Sequence, residues 1–366
     1  MHGSVKCESV PTRHRSGADP VAPCRNGHIV VSGETLRVVR DPTSRASTES
    51  LPVRQGWAEA GASRPPLVVI AGATATGKTE LALQLAEAFP GGEIISADAT
   101  QVYRGLDIGT AKVSAADRAR VPHHGLDLVE PDEPFSVADF ARHAEEVLAG
   151  IAERGGWALL VGGTGFYIRA VARGLALDLV PTDRALRASL ELELVAEGLP
   201  PLVERLRHLA PTLAGAVDLK NARRVVRALE IAYLQGDRPL PEARGYGRPV
   251  LWLGLTVDPP THREWIANRA RAQFDAGLVE EAAALLERYS PTLLAFNAIG
   301  YREAFGVLEG SLTREEAIAR DAARNVAYAR RQRTWFRREP DIEWLEAGVD
   351  PTEARAREAV ARYLEA

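Results

Sequence analysis

Leu67-Val-Val-Ile-Ala71 runs directly into Gly72-Ala-Thr-Ala-Thr-Gly77-Lys78-Thr79, and this stretch decides the fold. The apolar run is short and bounded by Pro66 and Gly72, as expected of a buried parallel strand. The eight residues after it fit G-x-x-x-x-G-K-[ST] at every fixed position. Helical spacing follows from Lys78 to Phe89. A strand, a glycine-rich loop and a helix in that order form a phosphate-binding device. The glycines let backbone N–H groups converge on a phosphate. The helix N-terminus adds about half a positive charge. Lys78 adds a point charge, and Thr79 is placed to hold a Mg²⁺ ion that bridges phosphate oxygens. Gly72, Thr74, Ala75, Thr76, Gly77, Lys78 and Thr79 are therefore the candidate diphosphate-binding residues.

Working outward, Glu93 to Ala97 reads as a second strand. Ser136-Val-Ala-Asp139 opens a capped helix that runs to about Glu153. Trp157 to Val161 is another buried strand, closed by Gly162-Gly163. This β-α-β-α-β order predicts a parallel, doubly wound sheet. Residues 182 to about 234 are helical in pattern, and a Gly/Pro-rich loop covers 236–249. Val250 to Val257 returns to a strand, after which the chain reads as helical almost to its end. Thr313-Arg-Glu-Glu316 caps a long helix there that reaches about Arg337. The expected class is α/β: a P-loop NTPase-like parallel sheet core with a helical insertion domain and a helical C-terminal region. The expected boundaries are 65–180 and 246–366 for the core and 181–245 for the insertion. Residues 1–64 read as a disordered or loosely ordered extension, in which Ile29 to Val31 is too short to build a core.

Composition excludes other classes. Hydrophobic content of 46% and charged content of 26% are ordinary for a globular chain, so a collagen-like, disulfide-scaffold or wholly disordered protein is ruled out. No apolar run reaches the roughly 18 to 20 residues of a membrane span. No secretory signal is visible, and the expectation is a cytoplasmic protein. Cys7 and Cys24, with His14 and His28, match no compact zinc spacing and read as thiols in a loose tail. Net charge is −4, which alone argues against a nucleic-acid partner, but local distribution matters more. Only Lys6, Lys78, Lys112 and Lys220 among the 45 basic residues are lysines, so each lysine runs against an arginine bias.

A phosphate loop does not specify a nucleotide. A kinase of this class usually places an acid at the end of a later strand to hold Mg²⁺. Here Trp157 to Val161 runs into Gly162-Gly163-Thr164, and the strand-end acid is Asp98. In a doubly wound sheet the C-terminal strand ends share one crevice, so Asp98, Thr164 and the phosphate loop should face one another.

At this point the chain resembles the tRNA dimethylallyltransferase (isopentenyltransferase) family of bacterial type. The resemblance spans about 66–345 and rests on ordered motifs. These are GATATGKT (72–79), ISADATQVYRGLDIGTAK (95–112), FSVADF (135–140), LLVGGTGFYIRA (159–170), NARRVVRALE (221–230), GLVEEA (277–282), AIGYREA (298–304) and ARRQRTWFRR (329–338). It implies that the phosphate loop holds the pyrophosphate of dimethylallyl diphosphate, with Mg²⁺, rather than ATP. It implies transfer of the prenyl group to N6 of the adenosine just 3′ of the anticodon, with the insertion gripping the anticodon stem. A monomer is expected, with no membrane partner.

The family's roles carry over residue by residue. Asp98 would accept the amine's hydrogen bond and take its proton. Thr164 matches a threonine beside the bridging oxygen, and Arg269 matches the pyrophosphate arginine. Asp98, Ala99, Thr100 and Gln101 fall in a segment that meets the acceptor tRNA. Arg223, Arg224 and Arg227, spaced to share one helix face, match another such segment, and Gly300-Tyr301-Arg302 a third. Seven arginines between 320 and 339 add a plausible backbone-binding patch, while Trp335 and Phe336 read as core. Arg271 stands where an Asp is common, and Asn325-Val326-Ala327 replaces a more basic run. Three other readings share the loop: an isopentenyltransferase acting on free AMP, ADP or ATP; a small-molecule kinase; and an RNA-binding module with a relict loop. The insertion and the intact Lys78, Thr79, Asp98 and Thr164 favour tRNA prenylation.

Overall fold

A computed structural model describes residues 64–349 and 351–366, together with the backbone of two short N-terminal strands. Those strands, β1 (His28–Ser32) and β2 (Thr35–Val39), pair antiparallel with Ser32 opposite Thr35. They belong to a unit of their own, Met1–Ala60. In that pair Ile29 to Val31 lies opposite Leu36 to Val38. Cys7, Cys24 and His14 lie outside the described residues.

In the second unit, Gly61–Ala366, the elements follow in chain order. The first are β3 (Leu67–Gly72), α1 (Lys78–Ala88), β4 (Gly92–Ser96), α2 (Ala115–Arg120), β5 (His123–His124), α3 (Val137–Glu153), β6 (Trp157–Gly162) and α4 (Gly165–Ala172). Four helices come next: α5 (Arg184–Glu197), α6 (Leu199–Leu209), α7 (Pro211–Ala216) and α8 (Ala222–Gln235). Then come β7 (Val250–Thr256), α9 (Pro259–Asp275), α10 (Leu278–Leu286), α11 (Tyr301–Leu308), α12 (Arg314–Phe336), β8 (Glu343–Glu346) and α13 (Thr352–Glu365).

The sheet order is β5-β4-β6-β3-β7-β8, and every pairing is parallel. β3, β4 and β6 are buried at every residue, which is why each reads as an apolar run rather than an alternation. Two apolar clusters cover the two faces. Phe140, Leu148, Ile151 and Ile168 come from α3 and α4 on one side. Leu81, Leu85 and Val360 come from α1 and α13 on the other. The helices α5 to α8 bury a separate cluster around Leu202, Leu206, Val225 and Leu229. Both expected capping boxes form, at Ser136 with Asp139 and at Thr313 with Glu316.

The last strand, β8, interrupts the region after Asp258 that reads as helical almost to its end. Glu-Trp-Leu-Glu buries only Leu345, too little apolar content to signal a strand, and it forms by pairing with β7. Among the described residues no helix is long and apolar enough to cross a membrane.

Two strand ends are locked together beside the phosphate loop. Ala97 N–H donates to Val161 O at 2.7 Å, and Thr164 N–H donates to Ala97 O at 3.2 Å. Gly162 makes this approach possible, since a Cβ there would lie 2.2 Å from Ala97 O. Gly162→Ala should therefore cost about 1–3 kcal/mol through overpacking. A urea midpoint equal to that of the native chain would contradict this reading.

Candidate active site

The phosphate loop leaves β3 and enters α1 through Gly77, whose φ of 82° suits glycine. Among the described residues no side chain caps the α1 N-terminus, which leaves its first-turn N–H groups without a side-chain partner. Gly72 is needed for close packing, since a Cβ would meet Leu255 O of β7 at 2.8 Å. Thr76 is buried, and its hydroxyl donates to Ala73 O at 2.9 Å. Ala75 adopts a φ of 57°, an unusual conformation for a residue with a Cβ. The loop is also held from the C-terminal half. Gln332 Oε1 accepts from Thr74 N–H at 2.8 Å, and Gln332 Nε2 donates to Gly163 O at 2.9 Å. His262 Nε2 lies 2.8 Å from Thr74 O, so that nitrogen carries the proton. Thr74, which lines the cleft, thus spends its own N–H on Gln332.

Lys78 Nζ donates to Ala73 O at 2.5 Å. Burial, then the charge of Arg269, pushes the Lys78 ammonium down to about 7, while Asp98 works the other way. Lys78, Arg269 and Asp98 are thus close enough to feel one another. Thr79 is exposed beside them, and its hydroxyl has no protein partner among the described residues.

Asp98, Thr164, Arg269 and Thr74 line one cleft of about 360 Å³, with Ala99 and Thr100 on the same wall. Asp98 Oδ1 accepts from Thr100 N–H at 2.9 Å and from Thr100 Oγ1 at 2.6 Å. One carboxylate oxygen therefore caps a turn, and the other remains for a ligand. Thr164 Oγ1 accepts from Ala99 N–H at 3.1 Å. Arg269 makes no hydrogen bond or ion pair among the described residues. Burial works against its charge, and Asp321, then Asp98, support it. Its neighbour Arg271 instead pairs with Glu315 at 2.7 Å on the exposed side of α9.

The remaining candidate residues fall into different environments. Gln101 is turned inward: its Nε2 donates to Thr110 O at 3.0 Å, and its Oε1 accepts from Ser96 at 2.7 Å. Tyr301 is fully buried, and its hydroxyl donates to Glu281 Oε1 at 2.6 Å. Glu281 in turn receives the N–H groups of Asp107, Ile108 and Gly109. The Tyr301 side chain is therefore a prop beneath that loop, not an exposed contact. Gly300, with φ of 106°, starts α11, and its N–H donates to Glu303. Arg302 is exposed and donates to Asn297, which lines the cleft. Arg223 and Arg224 are exposed. Arg227, one turn on from Arg223, is half-buried: it pairs with buried Glu230 at 2.8 Å and donates to Pro181 O at 3.0 Å. Lys112, singled out by its rarity, is structural, with its ammonium on Tyr103 O, Asp107 and Asp127.

Sequence reading missed Tyr328, Gln332 and His262. Tyr328 lines the cleft, and burial and then Asp98 push its phenol up to about 12. Tyr328 and His262 lie far along the chain from the loop, and Gln332, although inside the segment 329–338, carries no local sign of what it bonds. Trp335 and Phe336 pack inward as read: Phe336 is buried, and Trp335 lies under Arg169 at 4.9 Å.

The IPP transferase family matches residues 101–339, and the isopentenyl transferase family matches residues 65–120. The chain is 48% identical over 290 residues to a tRNA dimethylallyltransferase of Thermus thermophilus, covering 76% of this chain and 92% of that one. It is 42% identical to the Roseiflexus protein of the same name, covering 82% and 99%. Among solved structures, the tRNA isopentenylpyrophosphate transferase of Bacillus halodurans is similar with a TM-score of 0.61 at 37% identity, covering 82% and 97%. A eukaryotic dimethylallyltransferase acting on tRNA shares the fold, with a TM-score of 0.67 at 24% identity over 81% of this chain and 79% of that one.

Proposed function

The chain belongs to the IPP transferase family, and from that premise we propose that it prenylates tRNA. It transfers the dimethylallyl group of dimethylallyl diphosphate to N6 of the adenosine 3′ of the anticodon and releases diphosphate. The observation that carries this reading is the cleft that Thr74, Asp98, Thr164 and Arg269 line together, with the Lys78 ammonium at the start of α1 close enough to feel both Arg269 and Asp98.

The cleft assigns the work as follows. The loop amides of 75–79 and Lys78 hold the diphosphate. Arg269 and Thr164 flank the oxygen that departs. The adenine amine enters beside Asp98, whose free oxygen accepts one N–H. As the N6–carbon bond forms, the carbon–oxygen bond breaks. The diphosphate takes the electron pair, and Asp98 takes the proton. The acceptor base must leave its stack to reach this position. The exposed Thr79 hydroxyl, without a protein partner among the described residues, would help to hold a Mg²⁺ ion. Among the described residues no group of three His, Cys, Asp or Glu side chains is placed to hold a metal. Bound there, the ion would neutralise charge that grows on the leaving diphosphate.

The helices of 181–245 grip the anticodon stem, with Arg223 and Arg224 as phosphate contacts; Gly300 and Arg302 meet the loop nearer the cleft. On this reading the working unit is a monomer that meets its tRNA substrate in the cytoplasm. Replacing Arg223 and Arg224 together by Ala should raise KM for tRNA and flatten its salt dependence, leaving KM for the diphosphate unchanged. A change confined to the diphosphate would remove the tRNA placement. The function itself is tested with purified protein, Mg²⁺ and labelled dimethylallyl diphosphate, offered unmodified tRNA or AMP. Label in tRNA alone supports the reading, and label in AMP alone replaces it with a free-nucleotide enzyme.

A further inference from the structure

Asp321 of α12 is a carboxylate that the chemistry above does not use. It is 0% exposed. Its Oδ1 accepts from Asn325 Nδ2 at 2.7 Å. Its Oδ2 is buried with no hydrogen-bond partner among the described residues. The bare Cα of Gly300 leaves room for that atom, since a Cβ there would approach it to 3.0 Å. A buried carboxylate oxygen without a donor is costly, so its presence needs a reason.

Arg269 supplies the reason, because it is the complementary orphan. Its guanidinium carries five donors and uses none on the described residues. Among the charges that support Arg269, Asp321 acts most strongly, ahead of Asp98. The other cation near Asp321 is committed, since Arg324 Nη1 donates to both oxygens of Glu303 at 2.7 and 2.8 Å. Asn325, one turn from Asp321, lines the same cleft as Arg269. The guanidinium therefore stands under the pull of two carboxylates, the buried Asp321 and the proposed base Asp98.

We propose that Asp321 is a positioning residue for the transfer: its carboxylate anchors Arg269 toward the diphosphate and keeps it from pairing with Asp98. This rests on the reading of Arg269 as a diphosphate ligand. With Asp321 neutral, Asp98 becomes the strongest attraction left to Arg269, and an ion pair between them occupies the oxygen that must receive the amine proton. Burial and Glu303 push the Asp321 carboxyl up to about 6, against Asn325, Arg269 and Arg324. The anchoring charge is thus present above about pH 6 and is lost as the pH falls through that value.

The test is Asp321→Asn, assayed with tRNA and dimethylallyl diphosphate from pH 5 to 8 beside the native chain and Arg269→Ala. At pH 7.5 the Asn variant should lower kcat by about tenfold with KM for tRNA unchanged. The ratio of native to variant rates should shrink toward one below pH 6, because the native Asp321 is then also neutral. Taking the ratio cancels titrations that both proteins share. A ratio that is constant with pH, as a structural role would give, overturns the proposal. Arg269→Ala separates the two failures. If it behaves normally, the reading of Arg269 falls and the proposal with it. If it is impaired while the ratio stays constant, only the anchoring role falls. Should Asp321→Asn fail to fold, Asn325→Ala removes a hydrogen bond that favours the ionised carboxyl. It should move the acid limb of the native profile to higher pH, and an unmoved limb overturns the proposal.

Discussion

Asp98→Ala lowers kcat for tRNA prenylation by at least about 10²-fold, because it removes the group that takes the N6 proton. The lone pair of an exocyclic adenine amine is drawn into the ring, so attack on the allylic carbon needs concurrent loss of a proton. Asp98 is built for that step. Thr100 fixes its Oδ1 through two hydrogen bonds, so the carboxylate does not rotate, and the remaining oxygen lines the cleft. Asp98→Asn preserves the shape and the bond from Thr100 while removing the basicity. It should be nearly as slow as the Ala variant in single-turnover assays with saturating substrates. A rate within about threefold of the native chain in either variant would strip Asp98 of the role.

Lys78→Ala should reduce kcat/KM for dimethylallyl diphosphate by about 10²- to 10³-fold. The size follows from where the ammonium stands. It is largely desolvated, faces Arg269, and is pushed down to about 7. An approaching diphosphate reverses that balance, since its negative charge favours the protonated lysine. The sign follows directly. Below pH 7 the ammonium is already charged and binding needs no proton. Above pH 7 binding must draw one from solution, so affinity for the diphosphate weakens as pH rises. Titration calorimetry at pH 8 in two buffers of different ionisation heat should show uptake of close to one proton, absent from the Ala variant. Equal heats for the native chain in both buffers would contradict the assignment.

The central strands were legible because a strand covered on both faces needs side chains of one kind throughout, as in Leu67–Ala71 and Trp157–Val161. The phosphate loop was legible because its chemistry is packed into eight consecutive residues. The spacing of Arg227 set its angle on α8 but not its partner, the buried Glu230. Tyr301 carries no sign that its hydroxyl would be spent on Glu281. Short β5 and β8 owe their strand form to a neighbour's edge rather than to their own residues. Gln332, His262 and Asp321 matter only because α9 and α12 pack against the loop, a juxtaposition that no local pattern encodes.

Gln332 also sets an order of events in the life of each molecule. Its side chain ties Thr74 to Gly163 across sequence separations of 258 and 169 residues. The β3 strand that feeds the loop pairs with β6 on one side and with β7 on the other. A ribosome therefore delivers the loop first, and its flanking strand β7 and its clamp follow it later in the chain. Until then β3 is an apolar edge in need of shielding, the kind of segment that chaperones occupy. A nascent chain halted before Gln332 holds the whole phosphate-loop sequence and none of its clamp. The first part of the site to be synthesised is the last to be finished.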